Sequence, residues 1–299
     1  MSGLADVATR SGFIALAGRP NVGKSTLTNA LVGGKVAIVS DKPQTTRRAI
    51  RAVAGGIDWQ LVLIDLPGVQ RPRDALTERM QRRVETELYD ADGCLMVVNA
   101  EQGVGPGDRF IAAQLQAARV PIVIAVNKVD RIDRARLVAV LQAADDLGIA
   151  ESIFPISARS GSGVGQLLDH LVSLLPRGPF YFDPRQRSDQ SESVMLAELV
   201  REQILMRTRE EVPHAVEVEL EGVEEQDGRF RVDAVILVET ESQKGILIGS
   251  GGRMIKAIGM GARRAIEREL GGHAYVGLQV RVRRHWRADE RVLDRLGIE

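Results

Sequence analysis

The 299 residues carry 40 basic and 40 acidic side chains, a formal net charge of zero. No whole-chain field therefore draws the protein to nucleic acid or membrane, and local charge placement has to carry any such argument. The length suits about two domains, no run approaches the ~18 apolar residues of a membrane span, and a single cysteine, Cys94, excludes an internal disulfide and fits a reducing cytosol.

The first predicted strand, Phe13–Ala17, runs into Gly18-Arg19-Pro20-Asn21-Val22-Gly23-Lys24-Ser25, and Thr26–Leu31 reads as the opening turns of a helix. Glycine, four residues, then Gly-Lys-Ser between a strand and a helix is the phosphate-loop template. Loop N–H groups and the helix N-terminus face phosphate oxygens. Lys24 is expected to reach the β and γ phosphates and Ser25 to offer its hydroxyl to Mg2+. Asn21 has two readings: an amide that braces the loop, or one that holds a monovalent cation such as potassium beside the phosphates.

Further strand-like runs follow at Trp59–Ile64, Cys94–Val98, Ile122–Val126 and Ile153–Ile156, with an edge strand expected at Arg48–Val53. Helical patterns lie between them at Leu76–Leu88, Arg109–Ala118, Ala135–Leu147 and Val164–Leu175. Alternation of this kind predicts an α/β domain with a mostly parallel sheet and helices on both faces. Ligands in such folds bind beyond the carboxyl ends of the strands, where the remaining motifs fall. Gln44-Thr45-Thr46-Arg47 offers two threonines to complete a Mg2+ shell and sense a γ-phosphate, with Thr46 preferred. Asp65-Leu66-Pro67-Gly68 places a carboxylate for Mg2+ and a Gly68 N–H for the γ-phosphate. Asn127-Lys128-Val129-Asp130 is a guanine reader: the Asp130 carboxylate accepts from N1–H and the 2-amino group, donors that adenine lacks there. Asn127 faces N7, and the Lys128 stem covers the ring. Ser157-Ala158-Arg159 adds an Ala158 N–H for O6. Together these motifs specify GTP over ATP, with Lys24, Thr46, Gly68 and Asn21 as the catalytic group. Val69 stands where many small GTPases carry a water-orienting glutamine, so hydrolysis is expected to be slow or assisted from elsewhere.

Pro176–Gln190 reads as a linker, partly pinned by Phe180, Tyr181 and Phe182. The domains are expected at 11–176 and 192–299, with 177–191 between them. The second begins with helix Ser193–Arg209, capped by Ser191 or Ser193. Strands Ala215–Gly222 and Phe230–Val238 follow, joined at Asp227-Gly228, then a helix Met254–Leu270 and a strand Tyr275–Val282. The order helix, strand, strand, helix, glycine loop, helix, strand matches an α+β KH domain of the bacterial type (type II). Its loop Gly249-Ser250-Gly251-Gly252, between Ile248 and Ile255, would clamp about four unpaired nucleotides. Lys244, Ile248, Arg253, Lys256 and Arg263 join it as the expected RNA contacts. From Lys244 to Arg291 basic residues outnumber acidic ones, which suits phosphate.

A GTPase domain followed by a KH domain resembles the Era family of bacterial GTPases. GRPNVGKS, QTTR, DLPG, NKVD, the linker and its Ser188-Asp189, the IGSGG loop and the tail Trp286-Arg-Ala-Asp-Glu290 resemble that family in order. The resemblance implies binding near the 3′ end of 16S rRNA, action on the 30S subunit in its assembly, a cytoplasmic monomer, and peripheral contact with the inner membrane. The family loop often carries a lysine where this chain has Gly251, which leaves one phosphate contact open. The alternative function is a non-switching RNA-binding protein with GTP as a structural ligand.

Overall fold

A computed structural model describes residues 9–42, 45–67, 74–117 and 119–298. Gln44, Gly68 and Val69 of the motifs lie outside them. The chain divides into two compact units, Met1–Ala37 with Thr46–Arg71 and Met80–Asp189, and Ile38–Thr45 with Pro72–Arg79 and Gln190–Glu299.

In the first unit the apolar runs become strands and the amphipathic stretches between them become helices. In chain order they are β1 (Arg10–Ala17), α1 (Lys24–Val32), β2 (Ile50–Gly55), β3 (Trp59–Asp65), α2 (Ala75–Asp90, of which Met80–Asp90 belong to this unit), β4 (Gly93–Asn99), α3 (Pro106–Ala117), β5 (Ile122–Asn127), α4 (Arg134–Asp145), β6 (Ser152–Ile156) and α5 (Val164–Leu174). The sheet order is β2-β3-β1-β4-β5-β6. Every pairing is parallel except β2 with β3. That exception follows from the chain: three residues separate β2 from β3, room for a hairpin and too few for a crossover. The edge strand lies two residues later than the sequence pattern suggests. Both sheet faces are covered, so strand residues are apolar on both sides. Ile14 and Leu16 pack in one core with Leu27 of α1 and Leu171 of α5. Ala15 and Ala17 pack in the other with Val84, Ile111 and Val140 of α2, α3 and α4. Cys94 is buried in β4, where burial pushes its thiol up to about 12, so it is no nucleophile.

The linker is bound rather than loose. Ser188 pairs antiparallel with Ala52 of β2, Val53 N donates to Arg187 O at 2.9 Å, and Asp189 N donates to Arg51 O at 3.1 Å. Buried Gln60 accepts from Tyr181 N (2.8 Å) and Phe182 N (3.0 Å) and donates to Phe182 O (2.9 Å). The Tyr181 ring packs 4.7 Å from that of Phe13.

The second unit holds α6 (Glu192–Arg207), α7 (Val212–Ala215), β7 (Glu217–Gln226), β8 (Arg229–Val238), α8 (Glu241–Ile248), α9 (Arg253–Leu270), β9 (His273–Val282) and α10 (Glu290–Arg295). Ser191, not Ser193, caps α6, its hydroxyl accepting from Val194 N. Asp227 and Gly228 both take positive φ, as a two-residue hairpin between right-twisted strands requires. β7 and β8 are antiparallel. β8 and β9 are parallel because α8 and α9 form the crossover between them. One face of this sheet packs on α6 and α9 through Val232, Ala234, Ile236, Leu196 and Ile266. On the other face, Arg295 of α10 reaches Glu219 of β7 at 3.0 Å. The nearby Trp286 is fully buried, its indole N–H donating to Ala215 O at 2.8 Å.

Candidate functional site

Phosphate-loop geometry begins with a backbone only glycine tolerates. Gly23 has φ +102, and a Cβ there would collide with the Asn127 amide nitrogen. Asn127 is itself the brace. Its Nδ2 donates to Val22 O at 2.9 Å, and its Oδ1 accepts from Lys128 N (2.8 Å) and Ala158 N (2.9 Å). The motif after β5 thus holds the motifs after β1 and β6 through one side chain. The expectation that the Ala158 N–H faces a purine O6 and Asn127 an N7 edge meets a different state here, since Asn127 occupies that N–H and spends its own amide on the two loops. Lys128, at φ +69, donates Nζ to Asn21 O at 2.8 Å, so its stem spans from the base side to the phosphate loop. Burial holds its ammonium below the usual lysine range. Asp130 is exposed, and a hydrogen bond from Ser157 holds its carboxyl below the usual aspartate range. Arg159 is exposed beside it.

At the phosphate end Lys24 is buried, Nζ donating to Gly18 O at 3.1 Å and Arg19 O at 3.4 Å. Burial pushes its ammonium down, and the Asp65 carboxylate pulls the other way. Asp65 is fully buried, and burial pushes its carboxyl up against the pull of Lys24. Neither Asp65 oxygen has a well-formed hydrogen bond. Ser25 Oγ lies 3.0 Å from Thr46 Oγ1. Two hydroxyls and an orphaned buried carboxylate form an all-oxygen set, the chemistry of a hard divalent cation such as Mg2+. The open choice between threonines gains a geometric criterion: Thr45 Oγ1 is turned to Lys42 O at 2.7 Å. Asn21 adopts φ +63, a backbone that asparagine tolerates better than most residues, which gives it a structural reason to be there besides any cation. Arg19 is committed elsewhere, its Nε 2.9 Å from the buried Asp108 carboxylate. Its contribution to a phosphate is then its backbone alone, a point the motif does not reveal. Pro20, Thr26, Leu66 and Pro67 sit within or beside this loop set.

In the second unit, Thr240 and Gln243 cap α8 reciprocally, a capping-box signal that marks the helix start more sharply than the glycine loop does. α8 ends at Gly249, φ +69, where a Cβ would stand 2.7 Å from the Met254 Cβ. Gly252 caps α9 without any side-chain hydrogen bond; the Arg253 N–H donates to Ser250 O, and the N-terminus of that 18-residue helix adds partial positive charge that suits an anion. Beside the loop, α9 and β9 frame a groove of about 330 Å³ lined by Ile255, Lys256, Met260, Arg263, Tyr275 and Leu278. Met260, Tyr275 and Leu278 are additions to the expected contacts. Met260 stands one turn after Lys256 on α9, a spacing the sequence carries, whereas Tyr275 and Leu278 are three apart in β9, so alternation alone does not bring them to one groove. The basic excess is smaller than the run from Lys244 to Arg291 suggests. Arg281 pairs with Glu221, Arg283 with Asp289, Arg287 with Glu239, and Arg263 with Glu267. Glu221 and Glu239 lie outside that run, so counting along the sequence missed them. Lys244 and Lys256 have no ion-pair partner among the described residues.

The fold and these two sites define a P-loop GTPase that carries a KH domain. A family model described as 50S ribosome-binding GTPase matches residues 13–128, and one described as KH domain matches 211–287. GTPase Era of Alkaliphilus oremlandii is 42% identical over 97% of this chain and 99% of its own. GTPase Era of Mycobacterium tuberculosis is 43% identical over 96% of this chain and 98% of its own. Two solved structures superpose with a TM-score of 0.93 at 31% identity, over 97% of this chain and 99% of theirs. One is a point variant of Aquifex aeolicus Era bound to GDP·AlF4−, and the other is Era with MgGDPNP and nucleotides 1506–1542 of 16S ribosomal RNA. The chain belongs to the Era family of GTPases, and its reaction is the hydrolysis of GTP. Among the described residues no helix is long and apolar enough to cross a membrane.

Proposed function

We propose that this chain is a GTP-driven switch that binds 16S rRNA near its 3′ end through the KH unit and acts in assembly of the 30S subunit. The observation that carries the reading is the glycine turn 249–252, with a helix N-terminus that has no side-chain cap and an apolar groove beside it, in a chain that also holds a complete phosphate loop. The relative solved with MgGDPNP and 16S rRNA supports it over most of the chain. The 50S description belongs to a model that covers only part of the first unit, so it carries less weight for the RNA. Lys24 and the loop N–H groups bind the phosphates, Ser25, Thr46 and Asp65 hold Mg2+, and Asp130 selects guanine. When bound, Mg2+ supplies charge against the phosphates. Lys24 adds a second positive charge from the protein, and Asn21 either braces the loop or holds a potassium ion beside the phosphates. The protein works as a cytoplasmic monomer, and the domain limits 11–176 and 192–299 describe its two functional parts. Peripheral membrane contact is carried by the family resemblance alone. Crosslinking in cells followed by sequencing of the attached RNA tests the reading. Reads concentrated at the 3′ end of 16S rRNA are expected, and reads concentrated on tRNA or 23S rRNA would overturn it.

A further inference from the structure

The sheet face turned away from the α6 and α9 core carries a row that strand register sets side by side: Gly222 of β7, Asp233 of β8 and Gly277 of β9. With no Cβ on either side of Asp233, the sheet has a depression of about 490 Å³ there. The Asp233 carboxylate leans over Gly277, where a Cβ would collide with Oδ1. Oδ2 accepts from Arg231 Nε at 2.8 Å, and Oδ1 accepts no donor among the described residues. In the next row the Arg231 guanidinium lies 5.6 Å from the centroid of the Tyr275 ring, and Tyr275 is 63% exposed. Tyr275 and Leu278 line both this depression and the groove between α9 and β9. The two hollows therefore adjoin at β9, one of the two edge strands of the sheet.

We infer that the depression is a second base-recognition subsite, which takes a nucleobase bearing an exocyclic amino group from the single-stranded RNA held in the groove. The inference rests on the RNA-binding reading above. An exposed tyrosine with an arginine against its ring is a stacking platform for any base. Oδ1 adds selection: it accepts from the amino group of cytosine, adenine or guanine. Uracil flanks its ring N–H with two carbonyl oxygens, which the carboxylate repels. Arg231 pairs with Asp233 and Arg281 with Glu221, while Glu224, which also lines the hollow, has no ion-pair partner among the described residues, so the hollow leans acidic. Phosphates gain little there and stay with Lys256 on α9, so a base is the part of the chain that suits the hollow.

The test uses full-length protein and fluorescein-labelled single-stranded RNA. The probes are the tightest-binding tetranucleotide from the 3′ end of 16S rRNA, and octanucleotides with that tetramer flanked on both sides by two cytidines or two uridines. The parent is expected to bind the cytidine-flanked octamer about tenfold tighter than the uridine-flanked one, the discrimination of one good base contact. Asp233→Ala and Gly277→Val are expected to lose that preference and to bind the tetramer as the parent does. Gly277 has no positive φ, so the strand backbone accepts valine, whose Cβ would push the Asp233 carboxylate out of its place in the hollow. A parent without flank preference overturns the subsite, as does a preference that survives in both variants. Failure of every RNA to bind overturns the RNA reading itself, whereas tetramer binding that is lost in Gly249→Asp with Gly252→Asp and has no flank preference removes the subsite alone.

Discussion

The Ser25 and Thr46 hydroxyl oxygens stand 3.0 Å apart, although 21 residues separate them in the chain. Thr46→Ala is expected to weaken Mg2+-dependent binding of a non-hydrolysable GTP analogue by about tenfold or more, the scale of one charge-assisted contact. Thr45→Ala should stay near the parent, because its hydroxyl serves Lys42 O. Titrations with and without Mg2+ decide between them; equal losses in both variants would remove the assignment of Thr46.

Asp130→Asn should lower GTP affinity by roughly a hundredfold or more, since a buried base edge would lose its acceptor. It should gain xanthosine triphosphate, whose 2-oxo group accepts from the new amide. The pH dependence follows from Ser157, whose hydrogen bond keeps the Asp130 carboxyl ionised below its usual range. Guanine recognition needs the ionised form, so GTP binding is retained as pH falls until that lowered pKa is reached. In Ser157→Ala the pKa returns upward, and affinity should be lost at a higher pH than in the parent. A fluorescent GDP analogue titrated across the acid range reads the shift, and coincident acid limbs would count against the Ser157 contact.

Intrinsic turnover is expected at or below the ~10⁻³ s⁻¹ scale of unassisted GTPases. If the Asn21 amide ligates potassium, potassium should accelerate the parent more than sodium does. Asn21→Gly keeps the positive φ and removes the amide, so it should hydrolyse GTP at the same rate in either salt. A parent that turns over equally in both ends that role.

Gly249→Asp with Gly252→Asp puts bulk and negative charge where phosphates approach the start of α9. RNA binding should fall by more than about 2 kcal/mol, the sum of a few charge-assisted contacts. GTP affinity should be unchanged. A paired titration with RNA of the 16S 3′ end and a fluorescent GTP analogue separates loss of the clamp from loss of the fold.

The phosphate and guanine motifs were legible in the sequence because their residues are consecutive and their strand and helix flanks are periodic. The parallel sheet followed from the same alternation. What the sequence hid depends on contacts across the chain. Arg19 sits in the phosphate loop, yet its guanidinium belongs to Asp108, 89 residues on. The basic run after Lys244 is neutralised in part by Glu221 and Glu239. The groove joins one face of α9 to β9, and only the register of β7, β8 and β9 aligns Gly222, Asp233 and Gly277. A bulge between Leu220 and Gly222 shifts that register, and no local pattern announced it.

The bound linker bears on how the chain can be divided. β2 is the last strand of its sheet, and an exposed edge strand is a template for pairing with another chain. Residues 187–189 occupy that edge, and Phe182 and Tyr181 occupy the buried Gln60 amide. A GTPase fragment ended at Pro176 would therefore expose a sticky strand and leave a buried amide unsatisfied. One ended at Asp189 keeps both satisfied, and by size-exclusion chromatography it should run as a single soluble species where the shorter fragment self-associates.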